Sequence, residues 1–127
     1  MTGIDRHLAE VRAGLDRLGP KEAWRAVRDD GALLVDTRPE ATRRAEGGIP
    51  GALVIERNHL EWRCDPASEG ALPQATSTGI RWIVFCDEGY ASSLAAASLR
   101  TIGLSRATDL VGGFRAWRAA GLPVAPG

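Results

Sequence analysis

A chain of 127 residues, 44% hydrophobic and 25% charged, has the size and make-up of one globular domain and no room for a second. Sixteen basic side chains balance sixteen acidic ones, so composition supports no nucleic-acid partner and no polybasic membrane patch, and no apolar run approaches the ~20 residues that span a bilayer. Asp5, Arg6 and Glu10 stand where a signal peptide carries its apolar stretch, and the two cysteines, Cys64 and Cys86, are too few to staple the chain and lack metal-ligand spacing with His7 or His59. The expected setting is the cytoplasm, with reduced thiols.

Ile4, Leu8, Val11, Leu15 and Leu18 recur at steps of three and four, which predicts an amphipathic helix ending at Gly19-Pro20. This segment, residues 1–19, is expected to cover the core of the domain formed by 20–127 or to offer a dimer contact, so monomer and homodimer both stay open. Pro20 suits a first helical residue, and Ala23, Trp24 and Val27 give the inner face of a second helix closed by Asp29-Asp30-Gly31. The run Ala32-Leu33-Leu34-Val35 stops at Asp36-Thr37-Arg38-Pro39, the pattern of a strand buried on both faces with polar groups at its carboxyl end. Ile49 to Ile55 reads as a turn and a second short strand that runs into Glu56-Arg57-Asn58. Residues 58–79 read as loop with a short helix near 59–63. Arg81 to Phe85 is the most strand-like segment, and it leads directly into Cys86. Small and apolar residues from Ser92 to Arg100 predict a helix, Ala107 to Val111 a short strand closed by Gly112-Gly113, and Phe114, Trp117 and Ala120 the buried side of a last helix. Strands alternating with helices imply an α/β domain with a mostly parallel sheet, whose ligands bind at the carboxyl ends of the strands. There the sequence places Asp36, Arg38, Glu56, Arg57 and Cys86.

Cys86 leaves a buried strand, crosses a short loop with a central Gly89 and is followed at once by a helix. Such a loop can curl so that backbone N–H groups point inward, and the helix N-terminus adds positive potential; both favour a nucleophilic thiolate. A buried, inert cysteine at a strand end is the plainer reading of the same pattern. Phosphatases and arsenate reductases place an arginine six residues after the cysteine to clamp an oxyanion, but Ser92 occupies that position, so phosphoryl chemistry lacks its clamp.

Four motifs now stand in order: Asp36-Thr37-Arg38, Gly48-Ile49-Pro50-Gly51-Ala52, Cys86 to Ser92, and Gly112-Gly113-Phe114-Arg115-Ala116-Trp117, closing with Gly121-Leu122-Pro123-Val124. Together they resemble a single-domain rhodanese over roughly residues 20–125. The resemblance implies a three-layer α/β fold with about five strands, and a thiosulfate sulfurtransferase-like enzyme that needs no metal or organic cofactor. It implies that Cys86 takes a sulfane sulfur from thiosulfate, mercaptopyruvate or a persulfide and passes it, as a persulfide, to a thiol or cyanide-like acceptor. A partner protein carrying a thiol or persulfide is a further candidate. Asp87, Glu88, Gly89, Tyr90, Ala91 and Ser92 correspond to the loop that cradles the persulfide, with Asp36, Arg38 and Arg57 in support. The alternative is a non-catalytic module of the same fold that binds a partner or senses reactive sulfur.

The sequence also departs from the family's pattern. Asp87 and Glu88 put two carboxylates beside the nucleophile, which weighs against a dianionic donor such as thiosulfate. Gly48 stands where the family usually has histidine, and Glu40 or Glu46 is expected to brace Arg38. Arg43, Arg44, Arg57 and Arg63 are candidates for a basic rim, and Cys64 is either a resolving thiol, helped by Arg63, or incidental.

Overall fold

The structure, a computed structural model, describes residues 1–127. Four parallel strands form its sheet: β1 (Leu33–Asp36), β2 (Leu53–Val54), β3 (Trp82–Phe85) and β4 (Thr108–Asp109), in the order β2-β1-β3-β4. Residues 33 to 36 pair in register with 82 to 85, so the two most apolar runs of the chain are central neighbours. Alternation along them divides the core. Val35, Trp82 and Val84 face Leu60, Cys64, Ala95 and Leu99 on one side, while Leu34, Ile83 and Phe85 face Ala23, Ala26, Phe114 and Trp117 on the other. Six helices make the outer layers: α1 (Gly3–Ala13), α2 (Pro20–Asp30), α3 (Glu40–Glu46), α4 (Leu60–Cys64), α5 (Ala91–Thr101) and α6 (Gly113–Ala119).

The sheet has four strands rather than about five. Where a fifth would lie, Leu18 makes a single parallel bridge to Leu110: its amide donates to Asp109 O at 3.1 Å and its carbonyl accepts from Val111 N at 2.8 Å. Pairing stops there because Gly19 leads into α2, and Pro20, the first residue of that helix, has no N–H for a further rung. The first helix is also shorter than the expected run to Gly19. It ends at Ala13, starts with a capping box between Thr2 and Asp5, and leaves Ile4 exposed; Leu8 is its one buried side chain, while Leu15 and Leu18 are buried from the stretch that follows. α3 has no expected counterpart. It buries no side chain, so it carries no apolar stripe to read.

The chain crosses from β1 to β2 on one side of the sheet and from β3 to β4 on the other, which makes the gap between β1 and β3 the point where strand order reverses. In open parallel sheets ligands bind just beyond the strand ends at such a point. Asp36 to Arg38 leave β1 there, and Cys86 leaves β3. No helix is long and apolar enough to cross a membrane.

Candidate active site

The cysteine loop rests on the start of α6. Cys86 O accepts from Phe114 N at 2.9 Å and Asp87 O from Arg115 N at 3.1 Å, so the first-turn amides of that helix are satisfied by the loop's carbonyls. This contact requires glycine on both sides. Gly113 has φ +64, and a Cβ there would sit 2.6 Å from Cys86 O and 2.7 Å from Asp87 C; Gly89 has φ +88, and a Cβ there would sit 2.7 Å from Gly112 N. The curled loop brings Gly89 N–H to Cys86 Sγ at 3.2 Å and places Ser92 Oγ 3.3 Å from the same sulfur. The amides of Asp87, Glu88, Tyr90, Ala91 and Ser92 donate to no other group of the protein. The Ser92 hydroxyl accepts from a thiol and can turn to donate to a thiolate. Cys86 therefore sits among free backbone donors at the mouth of α5, an environment that stabilises negative charge on sulfur.

Arg38 is locked into the wall beside the loop. Its backbone N–H and Nε donate to Asp36 Oδ1 at 3.0 Å each, Nη2 donates to Asp36 Oδ2 at 2.8 Å and to Gly47 O at 2.7 Å, and Nη1 faces Asp87 Oδ1 at 3.5 Å. The guanidinium also lies 4.1 Å from the centre of the Phe114 ring. Burial alone would lower its pKa, but the hydrogen bonds and charge of Asp36, and then Asp87, outweigh it and hold Arg38 above its ordinary value. The brace is thus Asp36 with Asp87, and neither expected glutamate: Glu40 pairs with exposed Arg44, and Glu46 lies 3.7 Å from Arg115.

Asp87 and Glu88 are not free charges either. Arg115 Nε donates to Asp87 Oδ2 at 2.8 Å, and its Nη1 lies 3.2 Å from Glu88 Oε1. The hydrogen bond that Arg115 donates to Asp87, with the charges of Asp87, Glu46 and Glu88, raises the pKa of Arg115. Both carboxylates beside the nucleophile are therefore countered by a residue that the sequence gives only as part of the Gly112-Gly113 motif, which weakens the like-charge objection to an anionic donor.

The loop opens into a cavity of about 340 Å³ that Cys86, Tyr90 and Ala91 share with Thr37 and Arg57. Arg57 reaches it while donating to both oxygens of Glu61 at 3.0 Å. Burial pushes Glu61 up, but the hydroxyl of Ser98, then its backbone hydrogen bond and Arg57, carry it below the usual carboxylate range. No basic rim forms: Arg43 donates to Arg38 O, Arg44 pairs with Glu40, and Arg63 donates to Gly70 O. A larger groove of about 750 Å³ along α4, with Trp62 and Ile102, meets the cavity only at Arg57 and contains no thiol. No group of three metal-binding side chains is present.

A second polar cluster holds the loop from behind. Arg12 Nη2 and Arg17 Nη2 donate to Gly89 O at 2.8 and 3.3 Å, Arg17 clamps Asp109 with bonds of 2.9 and 3.1 Å, and Ser93 Oγ donates to Asp109 Oδ2 at 2.7 Å. Sequence reading misses all four residues, because nothing local marks them and the partners lie far apart in the chain.

Cys64 does not line the cavity that holds Cys86. It ends α4 with its side chain fully buried in the core, and burial, together with the charge of Glu61, pushes its pKa up to about 12 despite Arg63. Unfolding drops that thiol to ~8.5. Between the two values the unfolded chain loses a proton that the folded chain keeps, so this contribution to stability is intact below ~8.5 and is lost as pH rises toward the folded value. Denaturant unfolding measured at rising alkaline pH is expected to show a steeper loss in the wild type than in Cys64→Ala; equal slopes would contradict the buried, protonated thiol.

Comparison with known proteins places this geometry. The rhodanese-like domain family model matches residues 19–120. Thiosulfate sulfurtransferase GlpE of Pseudomonas fluorescens strain SBW25 is 33% identical over 99 residues, 78% of this chain and 82% of that protein. Adenylyltransferase and sulfurtransferase MOCS3-2 of Zea mays is 34% identical over 96 residues, 74% of this chain but 19% of that longer protein. Among solved structures, a protein of unknown function from Rhodopseudomonas palustris, described as a possible tyrosine phosphatase, superposes with TM-score 0.85 at 30% identity over 98% of this chain and 95% of that one. The polysulfide-sulfur transferase homodimer of Wolinella succinogenes shares the fold with TM-score 0.74 at 23% identity, over 94% and 84% of the two chains.

Proposed function

Because the chain belongs to the rhodanese-like domain family, we propose that it is a sulfurtransferase in which Cys86 carries the moving sulfur. The observation that carries this reading is the loop itself: a cysteine sulfur already bonded by Gly89 N–H, with five more amides without partners around it. The Cys86 thiolate attacks the outer, sulfane sulfur of the donor. A new S–S bond forms as the donor's own bond to that sulfur breaks, and the bonding pair leaves with the donor fragment, as sulfite from thiosulfate, as a thiolate from a persulfide, or, when the C–S bond of mercaptopyruvate breaks, as the enolate of pyruvate. The terminal sulfur of the resulting persulfide bears the negative charge, and the loop amides stabilise it by preorganised hydrogen bonds. An acceptor thiolate or cyanide then attacks the terminal sulfur, its bond to Cys86 breaks, and the thiolate is restored. No electrons are gained or lost overall.

Arg38 lines the same cavity as Cys86 and supports this chemistry with Nε and Nη2 held by Asp36 and Gly47, while its buried Nη1, beside Asp87, makes no hydrogen bond. With Asp87 and Glu88 paired to Arg115, thiosulfate joins the persulfides and mercaptopyruvate as an acceptable donor. The phosphatase description given to the Rhodopseudomonas protein finds no support in this loop, where Ser92 and not an arginine stands six residues after Cys86.

The test is turnover with thiosulfate, mercaptopyruvate and a small persulfide in turn, with cyanide as acceptor and an aryl phosphate in parallel. Thiocyanate from at least one donor, with no phosphate release, is the expected result. Phosphate release without thiocyanate would support a phosphatase, and no turnover at all would support the non-catalytic module.

A further inference from the structure

The stretch before residue 19 lies outside the family match, yet its side chains reach the cysteine loop. α1 packs along α5, and Arg12 in its last turn donates from Nη2 to Gly89 O at 2.8 Å and from Nε to Ser93 Oγ at 3.1 Å, with its guanidinium 5.6 Å from the centre of the Tyr90 ring. Arg17, on the stretch that follows, shares the same carbonyl and is itself fixed by fully buried Asp109. Asp109 closes the circuit by accepting from Ser93 at 2.7 Å and from Ser92 at 3.5 Å, and Ser92 touches Cys86 Sγ.

We propose that Arg12 and Arg17 are positioning residues for sulfur transfer: by holding the Gly89 carbonyl outward, they aim the Tyr90 amide into the site. A trans peptide is planar, so its C=O and N–H point in opposite directions, and no peptide bond in the chain is cis. The carbonyl of the Gly89–Tyr90 peptide is turned to the two arginines. The Tyr90 N–H therefore points the other way, to the side where Tyr90 and Cys86 line the cavity, and it has no partner in the protein. Gly89, free of a Cβ, gives little local resistance to a flip of this peptide plane. A flip would turn a carbonyl oxygen toward the anionic sulfur in place of an N–H donor. Two charged donors on the outer side select the productive orientation. This inference rests on the sulfurtransferase reading above.

Arg12 is the residue to change, because removing Arg17 would leave the buried Asp109 charge unpaired. Wild type, Arg12→Met and Arg12→Lys are compared in single-turnover persulfide formation against donor concentration, with melting temperature alongside. Arg12→Met is expected to lose about tenfold in the limiting rate, less than the ~10²-fold that follows outright loss of a charge-stabilising donor. Its concentration dependence and melting temperature should stay close to wild type. Arg12→Lys, which still donates to the carbonyl, should recover most of the rate. Equal limiting rates in all three proteins, or a loss that follows the melting temperature and is not recovered by lysine, would overturn the proposal. Iodoacetamide alkylation of Cys86 in the same proteins reads the loop without any sulfur donor. If the wild type takes up no sulfur, the sulfurtransferase reading fails by itself, while slower alkylation in Arg12→Met still supports the brace and an unchanged rate overturns it.

Discussion

Cys86→Ser is expected to bring sulfur transfer down to the uncatalysed background, a loss of at least about 10³-fold, while the fold and melting temperature stay close to wild type. The chemistry needs an anionic, polarisable sulfur that can form a second S–S bond. A serine hydroxyl is un-ionised at neutral pH and has no persulfide to offer. The substitution is otherwise mild, because Cys86 is only half-buried and its two contacts, the Gly89 amide and the Ser92 hydroxyl, can be kept by an oxygen in the same place. Turnover with the donor that works for the wild type, together with thermal melting, checks both halves of the expectation. Substantial transfer by the serine variant would remove Cys86 from its proposed role.

Gly113→Ala is the second large effect, and it acts from outside the cysteine loop. The alanine methyl would meet Cys86 O at 2.6 Å and Asp87 C and O at 2.7 Å, all of them backbone atoms that cannot rotate aside. Residue 113 also has φ +64, a left-handed conformation that costs a non-glycine residue ~1–3 kcal/mol. Both penalties are relieved by pushing the loop off α6, which breaks the bonds from Phe114 N and Arg115 N and displaces the sulfur from its amides. Activity is expected to fall by more than about tenfold, together with a loss of stability of ~2 kcal/mol or more. Denaturant unfolding and turnover measure the two separately. A variant with wild-type activity would show that the loop does not depend on this contact.

The parts of this arrangement that lie within one stretch of chain were legible before the fold was known. β1 and β3 announce themselves as apolar runs that end abruptly at Asp36 and Cys86, because strands buried on both faces need no alternation, and the polar residues at their ends mark the carboxyl edge. The Cys86 loop and the Gly112-Gly113 motif were each recognisable, but not that one rests on the other, since that contact depends on two glycines left without a Cβ at the point of approach. Asp36 is not readable as the partner of Arg38 because β1 ends at Asp36 and the turn beyond it has no periodicity to follow; there Asp36 accepts the Arg38 backbone N–H and so faces its guanidinium. The charge of Asp87 and Glu88 was readable, while its neutralisation by Arg115 required the third dimension. So did Arg12, Arg17 and Asp109, which join at separations of 77 and 92 residues and carry no local signature. α1 misled for a different reason: Leu15 and Leu18 continue its three-and-four spacing by coincidence after Gly14 has ended the helix, and they are buried from the stretch that follows instead.

The most direct measurement is the mass of the reduced protein after incubation with a sulfane-sulfur donor, followed by mapping of any added sulfur to a peptide. The account predicts one added sulfur atom, on the peptide that carries Cys86, removed by cyanide and absent from Cys86→Ser, with none on the buried Cys64. No added sulfur from any donor, or sulfur on Cys64, would contradict it.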